Sequence, residues 1–254
     1  MAGDILTLQA PPADYRIPWG PGELQFGDLR LPPGPGPHPA VIVIHGGYWR
    51  AAYDLLYAGH MSAALTRRGV ATWNIEYRRL GNPGGGYPGT LDDVARASIH
   101  LSKIATVHPL NMGRVVAIGH SAGAHLALWL ATSRQGVPLR GAVSLAGVLD
   151  LKRAYELKLS NNVVNELLGG SPQQYPDRYK AASPIERLPS GVPTRLIHGE
   201  ADNIVPMEFS EHYEQVAREK GDDCKLIKVP GDHFDVVDPR SKVWKTVSDA
   251  ILAL

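Results

Sequence analysis

The stretch RVVAIGHSAGAHLALWL (114–130) constrains the fold more than any other. A short apolar run ends in Gly119-His120-Ser121-Ala122-Gly123 and passes at once into a helical pattern, so the chain must turn from strand to helix inside five residues. Two glycines at such a junction weaken both flanking elements through lost conformational entropy. Either the turn is too sharp for side chains, or the serine has to be presented in an unusual way.

The same alternation runs through the chain. ELQFGDLRL (23–31) alternates apolar and polar residues, as a half-buried strand near an edge does. PPGPGPHP (32–39) is a turn, and AVIVIH (40–45) reads as a fully buried strand. The pattern predicts a helix over 53–68, a strand at VATWNIEY (70–77), and a helix over 91–107 opened by Asp92 and Asp93, where the helix dipole favours acids. RVVAI (114–118) is a strand and 122–133 a helix. GAVSLA (141–146), TRLIH (194–198) and KLIKV (225–229) continue the strands, with helices over 207–220 and 239–254. Strands separated by helices form right-handed βαβ units, hence an α/β fold with a doubly wound, mostly parallel sheet. No repeat or linker divides the chain, which predicts one domain over 1–254. Only 147–192 is long enough to hold a small cap.

Composition excludes several classes. The formal net charge is +1, which gives no electrostatic reason to expect nucleic acid or an anionic membrane. Cys224 is the single cysteine, so no internal disulfide forms and the fold needs no oxidising compartment. The opening MAGDILTLQAPPADYR lacks the basic start and apolar core of a secretory leader. No apolar run approaches the roughly 18 residues that span a bilayer. A cytoplasmic protein without membrane partners is the expectation.

Gly119–Gly123 fits G-x-S-x-G in the context that motif requires, a strand before and a helix after. The serine then stands at the carboxyl end of the sheet, with a helix N-terminus facing any developing negative charge. A serine hydroxyl needs a base, and in this arrangement the chain order is nucleophile, acid, histidine. Two histidines lie far enough downstream. His212 falls in the amphipathic pattern EFSEHYEQVAREK and reads as a solvated helix face. His233, in the loop VPGDHFDVVDP, can be aimed at a neighbouring strand, so it is the expected base. HGEADNIVP (198–206) offers Glu200 and Asp202 as the acid; Asp202 is favoured as lying further into the loop, and Asp150 is held in reserve. His45-Gly46-Gly47-Tyr48-Trp49 follows a buried strand, where glycines let amides turn inward to cradle an oxyanion. The amide of Ala122 supplies a second donor.

Other features read blandly. Gly84-Gly85-Gly86-Tyr87-Pro88-Gly89 matches G-x-G-x-x-G, but RRLGNP intervenes after the strand and Pro88 lacks an amide that a phosphate would need. His45, His120, His125 and His198 sit beside motif glycines or on the helix after Ser121, and read as packed, hydrogen-bonded histidines rather than metal ligands. Trp49, Trp73 and Trp129 read as core or pocket wall, and Cys224 as a buried bystander.

Together these residues resemble the α/β-hydrolase superfamily from Glu23 to the last helix. HGGYW with GHSAGAHLA is similar to the arylformamidase (kynurenine formamidase) branch and the hormone-sensitive-lipase-like esterases, whose Tyr-Arg…Tyr-Pro…Asp segment EYRRLGNPGGGYPGTLDDV also resembles. The resemblance implies an oxyanion hole made by the amides of Gly47 and Tyr48, joined by Ala122. It implies a serine hydrolase without metal or organic cofactor, with Ser121, Asp202 and His233 as triad. The expected substrate is a small ester with a short acyl chain. Aryl-formamide hydrolysis and feruloyl or acetyl-sugar ester hydrolysis stay open, as does a binding protein that keeps the fold without turnover.

Overall fold

The computed structural model describes residues 4–254; the first three residues of the opening stretch, and of the expected domain, lie outside the described residues. Eight strands form one sheet in the order β1-β2-β4-β3-β5-β6-β7-β8. These are β1 (Tyr15–Pro18), β2 (Phe26–Arg30), β3 (His38–Ile44), β4 (Ala71–Ile75), β5 (Leu110–His120), β6 (Gly141–Leu145), β7 (Thr194–Gly199) and β8 (Cys224–Val229). All neighbours from β4 to β8 run parallel, while β1 and β2 form an antiparallel edge. The sheet is doubly wound and mostly parallel, as the alternation requires. Helices cover both faces: α1 (Ala58–Thr66), α2 (Gly89–Ile104), α3 (Ala122–Ser133), α4 (Leu151–Glu156), α5 (Leu159–Leu168), α6 (Pro176–Ala182), α7 (Glu208–Glu219) and α8 (Trp244–Leu252). No helix among the described residues is long and apolar enough to cross a membrane.

Four features differ from expectation for identifiable reasons. β1 carries no sequence signal because YRIP is short and mostly exposed; Arg16 secures it by a bidentate pair to Asp28 on β2. β2 is buried rather than half-exposed, because 10–13 lies over it and Arg30 donates to the Pro11 carbonyl at 2.7 Å. The helix expected from residue 53 begins only at Ala58. Residues 53–57 instead bind the strand ends, Leu55 N–H donating to Glu76 and the Tyr53 carbonyl accepting from Arg79. The last helix starts at Trp244, after turns in which Asp238 and Ser241 accept backbone amides.

The two motif glycines are steric requirements. A Cβ on Gly119 would sit 2.0 Å from the Gly123 carbonyl oxygen, and one on Gly123 would sit 2.1 Å from that of Ile44. Helix α3 therefore lies against the end of β3 at a distance only glycine permits. All twelve of its residues are buried, which centres the core on the helix that follows Ser121.

Segment 147–192 carries α4, α5 and α6. Its Val163, Val164, Leu167, Tyr179 and Ala182 join the main core. Trp49, Trp73 and Trp129 are buried there too. Cys224 is buried, which pushes its thiol up to about 12.

Candidate active site

Four loops meet at the carboxyl ends of β3, β5, β7 and β8, the edge where α/β sheets bind ligands. Ser121 follows β5 with φ 56° and ψ −120°, a conformation that costs a non-glycine residue about 1–3 kcal/mol. Its backbone is held by hydrogen bonds: Ser121 N–H donates to Leu145 C=O at 2.8 Å, and the Ser121 carbonyl accepts from Ala124 N–H at 3.0 Å. The opening alternative is thereby resolved: the turn is too sharp for side chains, and the strained serine is what it presents.

His233 follows β8 and Asp202 follows β7. Gly199 allows these loops to touch, since a Cβ there would lie 2.4 Å from the Gly231 carbonyl oxygen. His233 Nδ1–H donates to Asp202 Oδ2 at 2.7 Å, the tautomer being assigned from that acceptor. Nε2 is thus the free ring nitrogen, and His233 lines the same cavity as Ser121. Asp202 is buried and accepts from three donors, the amides of Ile204 and Val205 and His233, while His198 Nε2–H, which donates to the Val205 carbonyl at 2.9 Å, lies 3.2 Å from its Oδ2. Burial alone would raise its pKa, but the adjacent imidazoles of His198 and His233 outweigh that and hold it well below the usual carboxylate range.

Alternative positions are otherwise engaged. Asp150 caps α4, accepting from the amides of Lys152 and Arg153. His212 is exposed on α7, 3.9 Å from Asp150. Glu200 is exposed, with its amide on the Val229 carbonyl.

The loop after β3 carries the candidate oxyanion donors. Gly47 has φ 106°, and Tyr48 and Trp49 have φ near 53° and 55°. Among the described residues the amides of Gly47, Tyr48 and Ala122 find no protein acceptor, whereas the Gly46 amide donates to the Tyr57 hydroxyl at 2.6 Å. Buried Glu76 and Arg79 lie beneath this loop, Arg79 2.9 Å from Glu76 and Glu76 3.1 Å from His45. Trp49 donates to His125 Nδ1 at 3.2 Å, and His125 Nε2–H donates to Ala182 C=O, tying the loop to α3 and to the 147–192 segment. Arg78 and buried Asp93 pair at 2.6 Å. Asp93 therefore anchors the segment before α2, beyond any role at the helix terminus. From sequence, His45 and His125 read as packed histidines, Trp49 as core or pocket wall and Asp93 as an acid at a helix start, and the structure adds the partners of each. The charges in the last residues of the expected strand 70–77 and just after it were the available signal for Glu76 and Arg79, and nothing flagged Tyr57.

The cavity beside Ser121, about 140 Å³, is lined by Leu6, Gly47, Tyr48, Tyr53, Tyr57, His120, Ser121, Ile204, His233 and Phe234. Among the described residues it is lined by aromatic rings and by no carboxylate, lysine or arginine side chain.

The family model for BD-FAE matches residues 28–216. The chain belongs to the BD-FAE family. This BD-FAE chain is 28% identical over 208 residues to the uncharacterized protein YfhR of Salmonella typhimurium, covering 79% of this chain and 66% of the relative. It is 26% identical over 241 residues to the kynurenine formamidase of Salmo salar, covering 87% and 75%. The chain thus spans just under two thirds of the first curated relatives it matches. Its fold is that of a truncated carbohydrate esterase from gut microbiota, with TM-score 0.82, 22% identity, and coverage of 97% and 99%. The resemblance to the α/β-hydrolase superfamily and its esterase and formamidase branch holds. His233 lies outside the matched span, so its candidacy rests on the geometry above.

Two buried histidines give the fold a pH dependence. Burial holds His120 down to about 3 and His125 to about 4, both neutral at pH 7. Unfolded, each regains its ordinary value near 6.5. Their contribution is therefore complete above about 6.5 and is lost as pH falls towards the folded values, at about 1.4 kcal/mol per pH unit for each. Denaturant unfolding at pH 7 and pH 5 should differ by on the order of 4 kcal/mol, less stable at pH 5. Equal stabilities would mean that these imidazoles are not held neutral.

Proposed function

We propose that the chain is a serine esterase acting on small, uncharged esters with short acyl chains. His233 Nε2 accepts the Ser121 hydroxyl proton as Oγ attacks the acyl carbonyl, while Asp202 fixes the Nδ1–H tautomer and stabilises the imidazolium. The amides of Gly47, Tyr48 and Ala122 donate to the oxyanion; one such donor is worth about 10²–10³ in rate. The tetrahedral intermediate collapses with the C–O bond breaking, the alcohol leaves with the proton from His233, and water cleaves the acyl-enzyme by the same route. In this reading the chain is one domain, 147–192 is a small fixed cap, and the single cysteine suits a reducing compartment such as the cytoplasm.

The observation that carries the proposal is the 2.7 Å His233–Asp202 bond beside a cavity that His233 shares with the strained Ser121. Kinship with a kynurenine formamidase and likeness to a carbohydrate esterase fit an acyl-transfer site. The lining favours the ester among these. Aromatic walls suit an aryl or apolar leaving group, but among the described residues the cavity offers no counter-charge to the amino and carboxylate groups of formylkynurenine and few polar groups for a sugar.

The test is a turnover screen of p-nitrophenyl acetate, butyrate and octanoate, with N-formylkynurenine and an acetylated sugar. The acetate ester should be fastest and the octanoate slowest. A kcat/KM for formylkynurenine above every ester would make the protein a formamidase instead, and no turnover by folded protein would make it a binding protein. Leu6 forms one wall of the cavity. Leu6→Ala should raise kcat/KM for butyrate relative to acetate by about tenfold, the scale set by one or two methylenes in a pocket.

A further inference from the structure

A single hydrogen-bonded chain runs behind Ser121 and joins two loops that come from non-adjacent strands. Gly46 N–H donates to the Tyr57 hydroxyl at 2.6 Å, Tyr57 O–H faces His120 Nδ1 at 3.0 Å, and His120 Nε2 faces the His233 carbonyl at 2.8 Å. The ends dictate the direction. An amide can only donate and a carbonyl can only accept, so Tyr57 must donate to Nδ1 and His120 must carry its proton on Nε2. Tyr57, His120 and His233 are each 5% exposed or less, so water does not compete for these bonds. The His120 ring also packs on the rings of His233 and Phe234, with centroids 4.6 and 5.8 Å away. Tyr57 meets His120 edge-on at 5.8 Å.

We propose that Tyr57 and His120 are positioning residues that act as one brace, setting the oxyanion loop and the His233 loop at a fixed separation across Ser121. The proposal rests on the serine-esterase reading. Under that reading the Gly47 and Tyr48 amides and the His233 imidazole must address the same tetrahedral centre. The first follows β3 and the second follows β8, with β5, β6 and β7 between them in the sheet. Sheet hydrogen bonding alone leaves their separation to the sum of several strand contacts. A displacement of about 1 Å in such a constellation can cost about 10²-fold in rate. The brace spans the gap directly, and it uses His120, the second residue of the Gly119–Gly123 motif, which G-x-S-x-G itself leaves free.

The brace makes its members non-additive. Tyr57→Phe strands the Gly46 amide and removes the donor to Nδ1. His120→Asn keeps an acceptor near the Nδ1 position and loses the donor to the His233 carbonyl. Each should lower kcat on p-nitrophenyl acetate by about 10–100-fold with KM within about twofold, because groups used only in the transition state are displaced. The double variant should be no worse than the poorer single one. His120→Gln, whose amide nitrogen lies near the Nε2 position, should recover most of the loss that His120→Asn causes. Full additivity, unchanged kcat, or no difference between Asn and Gln would overturn the brace.

A second measurement stands apart from turnover. Imidazole ¹⁵N–¹H correlation spectra of the wild-type protein should show His120 as the Nε2–H tautomer; the Nδ1–H tautomer would overturn the proposal even in a protein that folds and works. A wild-type protein with no hydrolase activity would defeat the esterase reading, while the tautomer would still decide whether the brace exists.

Discussion

Ser121→Ala should abolish turnover, with kcat falling about 10⁴-fold or more, while the protein keeps its fold. The substitution removes only Oγ. The backbone that presents it is set by Gly119, Gly123 and the Ser121 N–H to Leu145 bond, none of which depends on the hydroxyl. Alanine at φ 56° and ψ −120° carries the same strain as serine, so the midpoint of unfolding should stay within a few degrees. His233 and the oxyanion amides would be intact but would have no nucleophile to serve. Retention of more than about a hundredth of wild-type kcat, measured on p-nitrophenyl acetate, would show that acyl transfer does not go through this serine.

Asp202→Asn should be nearly as severe, with a loss of about 10⁴-fold in kcat on the same substrate. The hydrogen-bond pattern explains why an isosteric change does so much. Oδ1 accepts from the amides of Ile204 and Val205, so the asparagine carbonyl must occupy that position. Its NH₂ group then stands where Oδ2 was, facing His233 Nδ1 and His198 Nε2. His233 is driven to the Nε2–H tautomer, which cannot take a proton from Ser121. His198 keeps its bonds to the Val205 carbonyl and the Ser210 hydroxyl, so the loss should fall on turnover far more than on stability. Asp150→Asn is the contrasting change. It touches only the cap of α4, and activity should stay within about twofold, the range of a cap substitution worth a few tenths of a kcal/mol. A severe Asp150→Asn beside a mild Asp202→Asn would reverse the assignment of the acid.

Much of this site was legible because it is built from short-range requirements. A strand, two glycines and a helix in seventeen residues leave one way to turn, and the Cβ clashes at Gly119 and Gly123 show why. Loop position separated His233 from His212, and the structure places the first against Asp202 and the second in solvent. The supporting residues were illegible for the opposite reason. Tyr57 sits in what looks like the first turn of a helix, and its hydroxyl matters only because the chain brings it to Gly46 and His120. His125 and His198 read correctly as packed histidines. That His125 holds Trp49, and His198 the Val205 carbonyl beside Asp202, depends on partners 76 and 7 residues away, whose placement periodicity cannot give. The late start of α1 has the same origin: residues 53–57 are recruited by Glu76 and Arg79, a tertiary demand that outweighs local helical pattern.

The most direct test of the account is covalent. The protein would be incubated with an alkyl fluorophosphonate, a tetrahedral trap for activated serines, and the adduct located by peptide mass spectrometry in wild type and in Asp202→Asn. Stoichiometric labelling at Ser121 alone, slowed by orders of magnitude in Asp202→Asn, is the expected result. Labelling at another residue, or at Ser121 with a rate indifferent to Asp202, would contradict the triad.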